Sequence, residues 1–424
     1  MENNNGRDNK RCSFCGKLST EVNKLLRGPK VYICDECADM ANKYLKEEVE
    51  KDNCKNDGEN QNDVKDTLPS PRQIKESLDK YVIGQDEAKK CLSVGVYNHY
   101  KRVFIGTEAS DVNIQKSNIL LIGPTGSGKT LLVESLAKSL NVPYAIADVT
   151  GITEAGYVGD DVTSVLTRLY NNANGDIEKV QKGIIYLDEI DKKRKLYGVN
   201  SRDVSGEGVQ HALLKMIEGG TYDISISNPR DTKSMAMGEK KIQINTKDIL
   251  FICGGAFVGL SDIVSSRIDT NYVGFLGGEE VSGEDRSHPD VILENLETQD
   301  LVDFGMIPEF LGRLPITAVL KSLKEEDLVK ILVEPKDALI KQFEESFKMD
   351  NHELIFDKSA LNAIAEYAII KDLGARGLRG IVENVLRDLQ YEIPDKRDDD
   401  SDKKIVITEE FVREKLNFED KNIA

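Results

Sequence analysis

The chain has 424 residues, with 57 Lys or Arg against 74 Asp or Glu, a formal charge of −17. Hydrophobic residues make up 39% and charged residues 31%, the mix of a globular protein with material for two or three domains. The acidity argues against a protein whose main task is coating nucleic acid, and no apolar run approaches the ~18 residues of a membrane-spanning helix.

The N-terminus, Met1-Glu2-Asn3-Asn4-Asn5, has neither the basic-then-apolar order of a secretory signal nor an Arg-rich transit pattern, so the expected location is cytoplasmic. Four of the seven cysteines follow as Cys12-x-x-Cys15 and Cys34-x-x-Cys37, with eighteen residues between the pairs. In a cytosolic chain this spacing reads as a closed, structural Zn²⁺ site, because four thiolates complete a tetrahedron and leave no position for catalysis. A redox role for either C-x-x-C is the competing reading, weakened by the lack of a neighbouring βαβ pattern. From Glu47 to about Asp66 the chain is dominated by Asn, Asp, Glu and Lys, the composition of a disordered linker.

From about Pro69 the composition becomes globular. Ile119–Ile122 predicts a short buried strand, followed by a glycine-rich turn and a helix with Leu132, Leu136 and Leu140 on one face. Ile184–Leu187 and Ile249–Ile252 predict further buried strands. Apolar strands separated by helices indicate a parallel sheet covered on both faces. From Glu325 onward the periodicity of Leu328, Ile331, Leu332, Leu361, Ile364 and Ala365 predicts a small helical domain, with a strand-like Ile405-Val406-Ile407 near the end.

The turn after the first strand, Gly123-Pro124-Thr125-Gly126-Ser127-Gly128-Lys129-Thr130, matches G-x-x-x-x-G-K-[ST]. Its glycines let successive backbone N–H groups close around phosphates at a helix N-terminus. Lys129 is positioned for the β- and γ-phosphates, the Thr130 hydroxyl for Mg²⁺, and the adjoining Leu131 for the nucleotide. The second strand ends in Asp188-Glu189, which places two carboxylates at the sheet edge where those phosphates lie. Asp188 is assigned to Mg²⁺ through water and Glu189 to the attacking water; the competing reading is that the pair only caps the next helix. Tyr157 in Gly156-Tyr157-Val158-Gly159 is either a core aromatic or, given its polar surroundings, the tip of an exposed loop. Ser201 to Gly208 reads as a second polar loop. With four histidines (His99, His211, His288, His352) and neither a Ser-His-Asp nor an H-E-x-x-H pattern, no peptidase site is expected.

Taken together, the zinc knuckles, Tyr81-Val82-Ile83-Gly84-Gln85, the phosphate loop, the Tyr157 loop and Gly374-Ala375-Arg376 resemble the ClpX family, the AAA+ unfoldase subunits of the ClpXP protease, from about Cys12 to about Ile393. The resemblance implies a zinc-binding domain (1–48), a linker (49–68), a large AAA+ α/β domain (69–318) and a small, mostly helical domain (319–424). It implies that Val82 and Ile83 pack on adenine, selecting ATP. Arg313 would be an arginine finger acting on a neighbour's γ-phosphate in a homohexamer, and Arg376 a sensor arginine from the small domain. Without the family both would read as ordinary surface arginines. Tyr157 and Val158 would grip unfolded or tagged protein substrates in an axial pore, with Arg202 in a second pore loop. Val273-Gly274-Phe275 would dock on the ClpP peptidase, and adaptors would be further partners.

Two segments depart from the family pattern: 227–239 lacks the usual basic Arg-Lys-His loop, and the acidic stretch 277–290 is unlike it. The alternative function is a nucleic-acid-remodelling, clamp-loader-like AAA+ ATPase whose zinc knuckles touch DNA. A zinc-dependent adaptor that uses ATP only as a switch is a third reading.

Overall fold

The computed structural model describes residues 11–18, 21–22, 24–27, 31–38, 40, 68–105, 114–152, 162–195, 206–226, 240–272, 288–393 and 404–417. The chain divides into two compact units, Met1–Thr67 and Leu68–Ala424.

In the first unit a hairpin of β1 (Leu25–Arg27) and β2 (Tyr32–Cys34) pairs antiparallel, with Leu25 opposite Cys34. Among its described residues, Cys12 and Cys34 are the buried ones. Among those residues the cysteine cluster takes the place of an apolar core, as a small unit requires.

The second unit opens with α1 (Pro71–Asp79), started by a capping box between Ser70 and Gln73 with Pro71 in the first turn. After α2 (Asp86–Ile105), β3 (Ile119–Ile122) leads into α3 (Lys129–Leu140). Then follow β4 (Tyr144–Asp148), α4 (Ser164–Asn172), β5 (Ile184–Asp188) and α5 (Glu207–Glu218). The hairpin of β6 (Thr221–Ile226) and β7 (Lys240–Asn245) precedes β8 (Leu250–Gly255), α6 (Leu260–Tyr272), α7 (Thr298–Phe304) and β9 (Ile316–Val319).

The main sheet has the order β4-β5-β8-β3-β9 with every neighbouring pair parallel. Strand periodicity explains why it is covered on both faces. Leu120, Ile122, Ile185, Leu187, Phe251 and Cys253 pack into one core. Their alternates, Ile119, Leu121, Ile184, Tyr186, Leu250 and Ile252, pack into another with Leu92, Val96 and Leu132.

A third core lies wholly within residues 328–416. It is built by α8 (Glu325–Val333), α9 (Leu339–Met349), α10 (Lys358–Ile370), α11 (Gly374–Glu392) and α12 (Glu409–Lys415). This lobe is mostly helical, as the periodicity predicts, and Ile405-Val406-Ile407 is the strand the sequence suggests, but its parallel partner is not anticipated from the sequence. In it β10 (Glu353–Phe356) aligns with β11 (Lys404–Ile407), Glu353 opposite Lys404. Among the described residues no helix is long and apolar enough to cross a membrane.

Candidate active site and zinc centre

The segment Gly123–Thr130 leaves the C-terminal end of β3 and enters α3. Gly126 (φ +82°) and Gly128 (φ +98°) lie in the left-handed region that side chains resist, and a Cβ at Gly123 would sit 2.7 Å from Leu320 Cβ. The loop closes on itself: Lys129, nearly buried, donates from Nζ to the Gly123 carbonyl (2.6 Å) and the Pro124 carbonyl (2.9 Å). Burial pushes the Lys129 ammonium below its ordinary pKa and Arg376 adds to the effect, while Asp188, Asp191 and Glu189 oppose it.

Asp188 and Thr130 meet as their residue types require. The Thr130 hydroxyl donates to Asp188 Oδ2 at 3.2 Å, and Oδ1 accepts the Tyr186 hydroxyl (3.1 Å) and the Glu189 backbone N–H (3.0 Å). A hydroxyl and a carboxylate beside a phosphate loop form the all-oxygen set that suits Mg²⁺. Glu189 has left-handed backbone (φ 58°, ψ 34°), a strained conformation for a residue with a side chain, and the turn bends the chain sharply at the strand end.

The small lobe completes the site. Gly374 and Ala375 abut the phosphate loop: a Cβ on Gly126 would lie 3.4 Å from the Ala375 N and 3.7 Å from the Gly374 Cα. Arg376 follows at once, near enough for its charge to act on Lys129. Beside it a mostly apolar cavity of about 330 Å³ is walled by Tyr81 and Leu131 of the large lobe and by Ile331, Pro335, Ala375 and Leu378 of the small. Its size and lining suit a nucleoside. Val82 is buried in the core with its Cγ1 within 4 Å of where a Gly128 Cβ would stand, and Ile83 is half-buried. The adjoining Tyr81 is the member of that segment that lines the cavity.

Arg313 lies elsewhere. Its guanidinium pairs with Glu218 at the end of α5, with Nε 2.9 Å and Nη2 2.8 Å from Oε1, and is half exposed. Its carbonyl is held by Asn118, the residue preceding β3. Arg313 therefore sits at the N-terminal end of the strand whose C-terminal end carries the phosphate loop, about 13 Å away for four residues.

Two residues here have no role assigned from the sequence. Gln85 (φ 60°) donates from Nε2 to the Lys321 carbonyl (2.8 Å) and accepts the Lys321 N–H (2.9 Å). Asp191, 4% exposed, accepts the Phe257 N–H at 3.3 Å. The cavity residues of the small lobe are likewise silent in the sequence, since Ile331 and Leu378 read as core positions of amphipathic helices. Tyr157, Val158, Arg202, Val273, Gly274 and Phe275, and the segments 227–239 and 277–287, lie outside the described residues.

In the first unit the four cysteine sulfurs all lie within 4.8 Å of one another, and Cys15 and Cys34 Sγ are 3.6 Å apart. A tetrahedral Zn²⁺ with 2.3 Å bonds separates its sulfurs by about 3.8 Å, so the donor set fits. Backbone N–H groups point at the sulfurs, Cys34 N to Cys12 Sγ (3.3 Å) and Cys37 N to Cys34 Sγ (3.4 Å). Backbone N–H groups, that of Cys15 first and that of Cys34 with it, pull the Cys12 thiol down to about 6, whereas hydrogen bonding to Cys34 drives Cys37 up to about 12. Four thiolates gather only around a cation.

A phosphate loop, an acid pair ending the next strand but one, and an arginine from a helical lobe define an ATPase of the AAA class. Residues 114–317 match the AAA domain (Cdc48 subfamily) and 323–406 the C-terminal, D2-small domain of ClpB protein. Residues 10–47 match the ClpX C4-type zinc finger. The chain is 49% identical over 407 residues to the ATP-dependent Clp protease ATP-binding subunits ClpX of Borrelia duttonii and Borrelia recurrentis, covering 95% of this chain and 90% of each relative. It is 49% identical over 386 residues to that of Treponema denticola, covering 90% of both. The chain belongs to the ClpX family. It is an ATPase, and its cofactors are ATP, Mg²⁺ and Zn²⁺.

Proposed function

We propose that this chain is an ATP-driven protein unfoldase and translocase of the cytoplasm, which threads protein substrates through a homohexameric ring and delivers them to the ClpP peptidase. The observation that carries the ring is the position of Arg313. Its backbone is fixed by Asn118 at the opposite strand end from its own phosphate loop, which favours a role for its half-exposed guanidinium at a neighbouring subunit's nucleotide over one at its own.

Within one subunit, Lys129 and the loop N–H groups bind the β- and γ-phosphates, and Glu189 orients the attacking water. Thr130, with Asp188 through water, holds Mg²⁺, which when bound neutralises developing phosphate charge. Leu131 and Tyr81 pack on the nucleoside, with Val82 and Ile83 behind the loop. Arg376 reports the nucleotide to the small lobe, so hydrolysis changes the contact between lobes. The proposed domains are the zinc unit (1–48), linker (49–68), large domain (69–318) and small domain (319–424). Tyr157 and Val158 grip the polypeptide, assisted by Arg202, and Val273–Phe275 dock on ClpP. The Cys12, Cys15, Cys34 and Cys37 unit selects clients or adaptors.

The test is loss of native fluorescence from a stably folded, tagged reporter, with ATP and without any peptidase. Loss that requires ATP and disappears in Glu189→Gln supports the reading, and Tyr157→Ala should keep ATP hydrolysis but lose unfolding. Brisk hydrolysis without unfolding of any reporter, together with DNA-stimulated turnover, would favour the clamp-loader class instead.

A further inference from the structure

The strand β8 runs between β3, which carries the phosphate loop, and β5, which ends in Asp188 and Glu189. The turn that follows it, Gly255 to Phe257, is thus bordered by both halves of the site. Phe257 is buried and has a left-handed backbone (φ 50°), a conformation that costs a non-glycine residue about 1 kcal/mol or more and persists where its surroundings impose it.

Asp191 is the side chain that bonds to this turn. It lies two residues after Glu189, in the 3₁₀ turn Ile190–Lys193, and its Oδ2 accepts the Phe257 N–H at 3.3 Å. Its other oxygen, Oδ1, is buried without a hydrogen-bond partner among the described residues. That oxygen presses so closely on Gly255 that a Cβ there would lie 2.4 Å from it. The exposed Lys192 ammonium, 3.7 Å from Oδ2, is its one ion pair among the described residues. The Gly255 carbonyl in turn accepts the N–H of Gly123, the first residue of the phosphate loop, at 3.3 Å. A buried carboxylate with an unbonded oxygen weakens a fold, so stability does not account for its placement. A continuous set of contacts does: from the strained Glu189 turn, through Asp191, to the strained Phe257 turn and the phosphate loop.

We propose that Asp191 is a positioning residue for ATP hydrolysis: by holding the Phe257 turn it locks the Glu189 turn in register with the phosphate loop, so that the water Glu189 orients meets the γ-phosphate at a fixed distance. The inference rests on the reading of Glu189 as the residue that orients water. A displacement of about 1 Å at such a site costs up to about a hundredfold in rate.

Steady-state ATP hydrolysis by the full chain, alongside affinity for a fluorescent ATP analogue, tests it with Asp191→Ala, Asp191→Asn and Gly255→Ala. Asp191→Ala should lower kcat about tenfold or more, with KM and analogue affinity changed less than about twofold. Asp191→Asn, whose amide oxygen still accepts the Phe257 N–H, should recover kcat to within about threefold of wild type. Gly255→Ala, which drives a methyl group against Oδ1, should reproduce the loss by an independent route. Wild-type turnover in Asp191→Ala overturns the inference, as does an Asn variant as impaired as Ala, or affinity falling in step with kcat. A fully active Glu189→Gln would overturn the reading of Glu189 and this inference with it. An inactive Glu189→Gln beside a fully active Asp191→Ala overturns the inference alone.

Discussion

Asn118 is where Arg313, the proposed arginine finger, is anchored to the sheet, and its removal has a calculable cost. The side chain is 2% exposed; Nδ2 donates to the Arg313 carbonyl at 2.9 Å and Oδ1 accepts the Phe251 N–H of β8 at 3.2 Å. Asn118→Ala leaves the buried Phe251 N–H and the part-buried Arg313 carbonyl unsatisfied. At about 1–3 kcal/mol for the N–H and about 1 kcal/mol for the carbonyl, the loss is about 2–4 kcal/mol, a large share of a domain's net stability. For a unit as long as Leu68–Ala424, that lowers Tm by about 3–5 °C. The same change frees the backbone of Arg313, so ATP turnover per folded molecule should fall while binding of a fluorescent ATP analogue, which depends on the other end of β3, stays near wild type. Thermal melts followed by circular dichroism, and turnover measured well below the melt, separate the two effects. A Tm within about 2 °C of wild type would refute the orphaned-pair reasoning. Unchanged turnover at a lowered Tm would refute the anchoring of Arg313.

Lys116 gives a pH prediction. Its Nζ donates to the carbonyls of Ile217 (3.2 Å) and Thr246 (3.1 Å) and lies 4.5 Å from the Phe251 ring centre, and burial lowers its pKa to about 7. Between about pH 7 and 10 the unfolded chain therefore binds the extra proton. Lys116 makes stability rise with pH there, by up to about 1.4 kcal/mol per unit, a slope that denaturant melts should find missing in Lys116→Met. Equal slopes in the two proteins would exclude the low pKa. Chelation of Zn²⁺, or Cys34→Ser, should make residues 1–48 protease-sensitive and leave ATP hydrolysis within about twofold, because the metal is the core of a separate unit. Loss of hydrolysis in a protein whose second unit melts normally would contradict that separation.

What the sequence makes legible is what is local. The phosphate loop, the acid pair and the cysteine knuckles each place their chemistry within a few residues, because turn geometry, a strand end and a tetrahedral ion demand it. The three strands read from continuous apolar runs are the three central ones, β3, β5 and β8. The edge strands β4 and β9 give weaker signals: in β4 small alanines alternate with Tyr144 and Ile146, and Thr317 breaks the apolar run of β9. The pairing of β10 with β11 joins segments some fifty residues apart and is set by the helices between them. Most of the wall of the cavity beside the phosphate loop comes from the small lobe, with Ile331, Pro335 and Leu378 about 200 to 250 residues further along the chain. Gln85 and Asp191 act through backbone groups brought near by the fold, which no spacing rule encodes.

The contacts of Gln85 bear on how hydrolysis becomes motion. The crossing from large to small lobe is pinned on its large-lobe side: Leu320 N to the Ile122 carbonyl, Lys321 to the Gln85 amide through both its backbone groups, and Ser322 N to the Asp290 carboxylate. The next residue, Leu323, packs on the small-lobe core, and Lys324 caps α8. Any change in lobe angle is then taken up between Ser322 and Leu323, with Arg376 and most of the cavity wall carried along. Gln85→Ala removes both hydrogen bonds to Lys321, worth about 1–3 kcal/mol together, along with a longer one to the Ser127 carbonyl of the phosphate loop (3.4 Å), and spreads the bending over more residues. Less of each stroke should reach the substrate, so ATP consumed per reporter unfolded should rise several-fold while ATP affinity changes little. Gln85→Gly, which also relieves the left-handed strain, should be uncoupled to the same degree, because the missing amide and not the backbone angle is at issue. An unchanged ATP cost per unfolded reporter in both variants would place the hinge elsewhere.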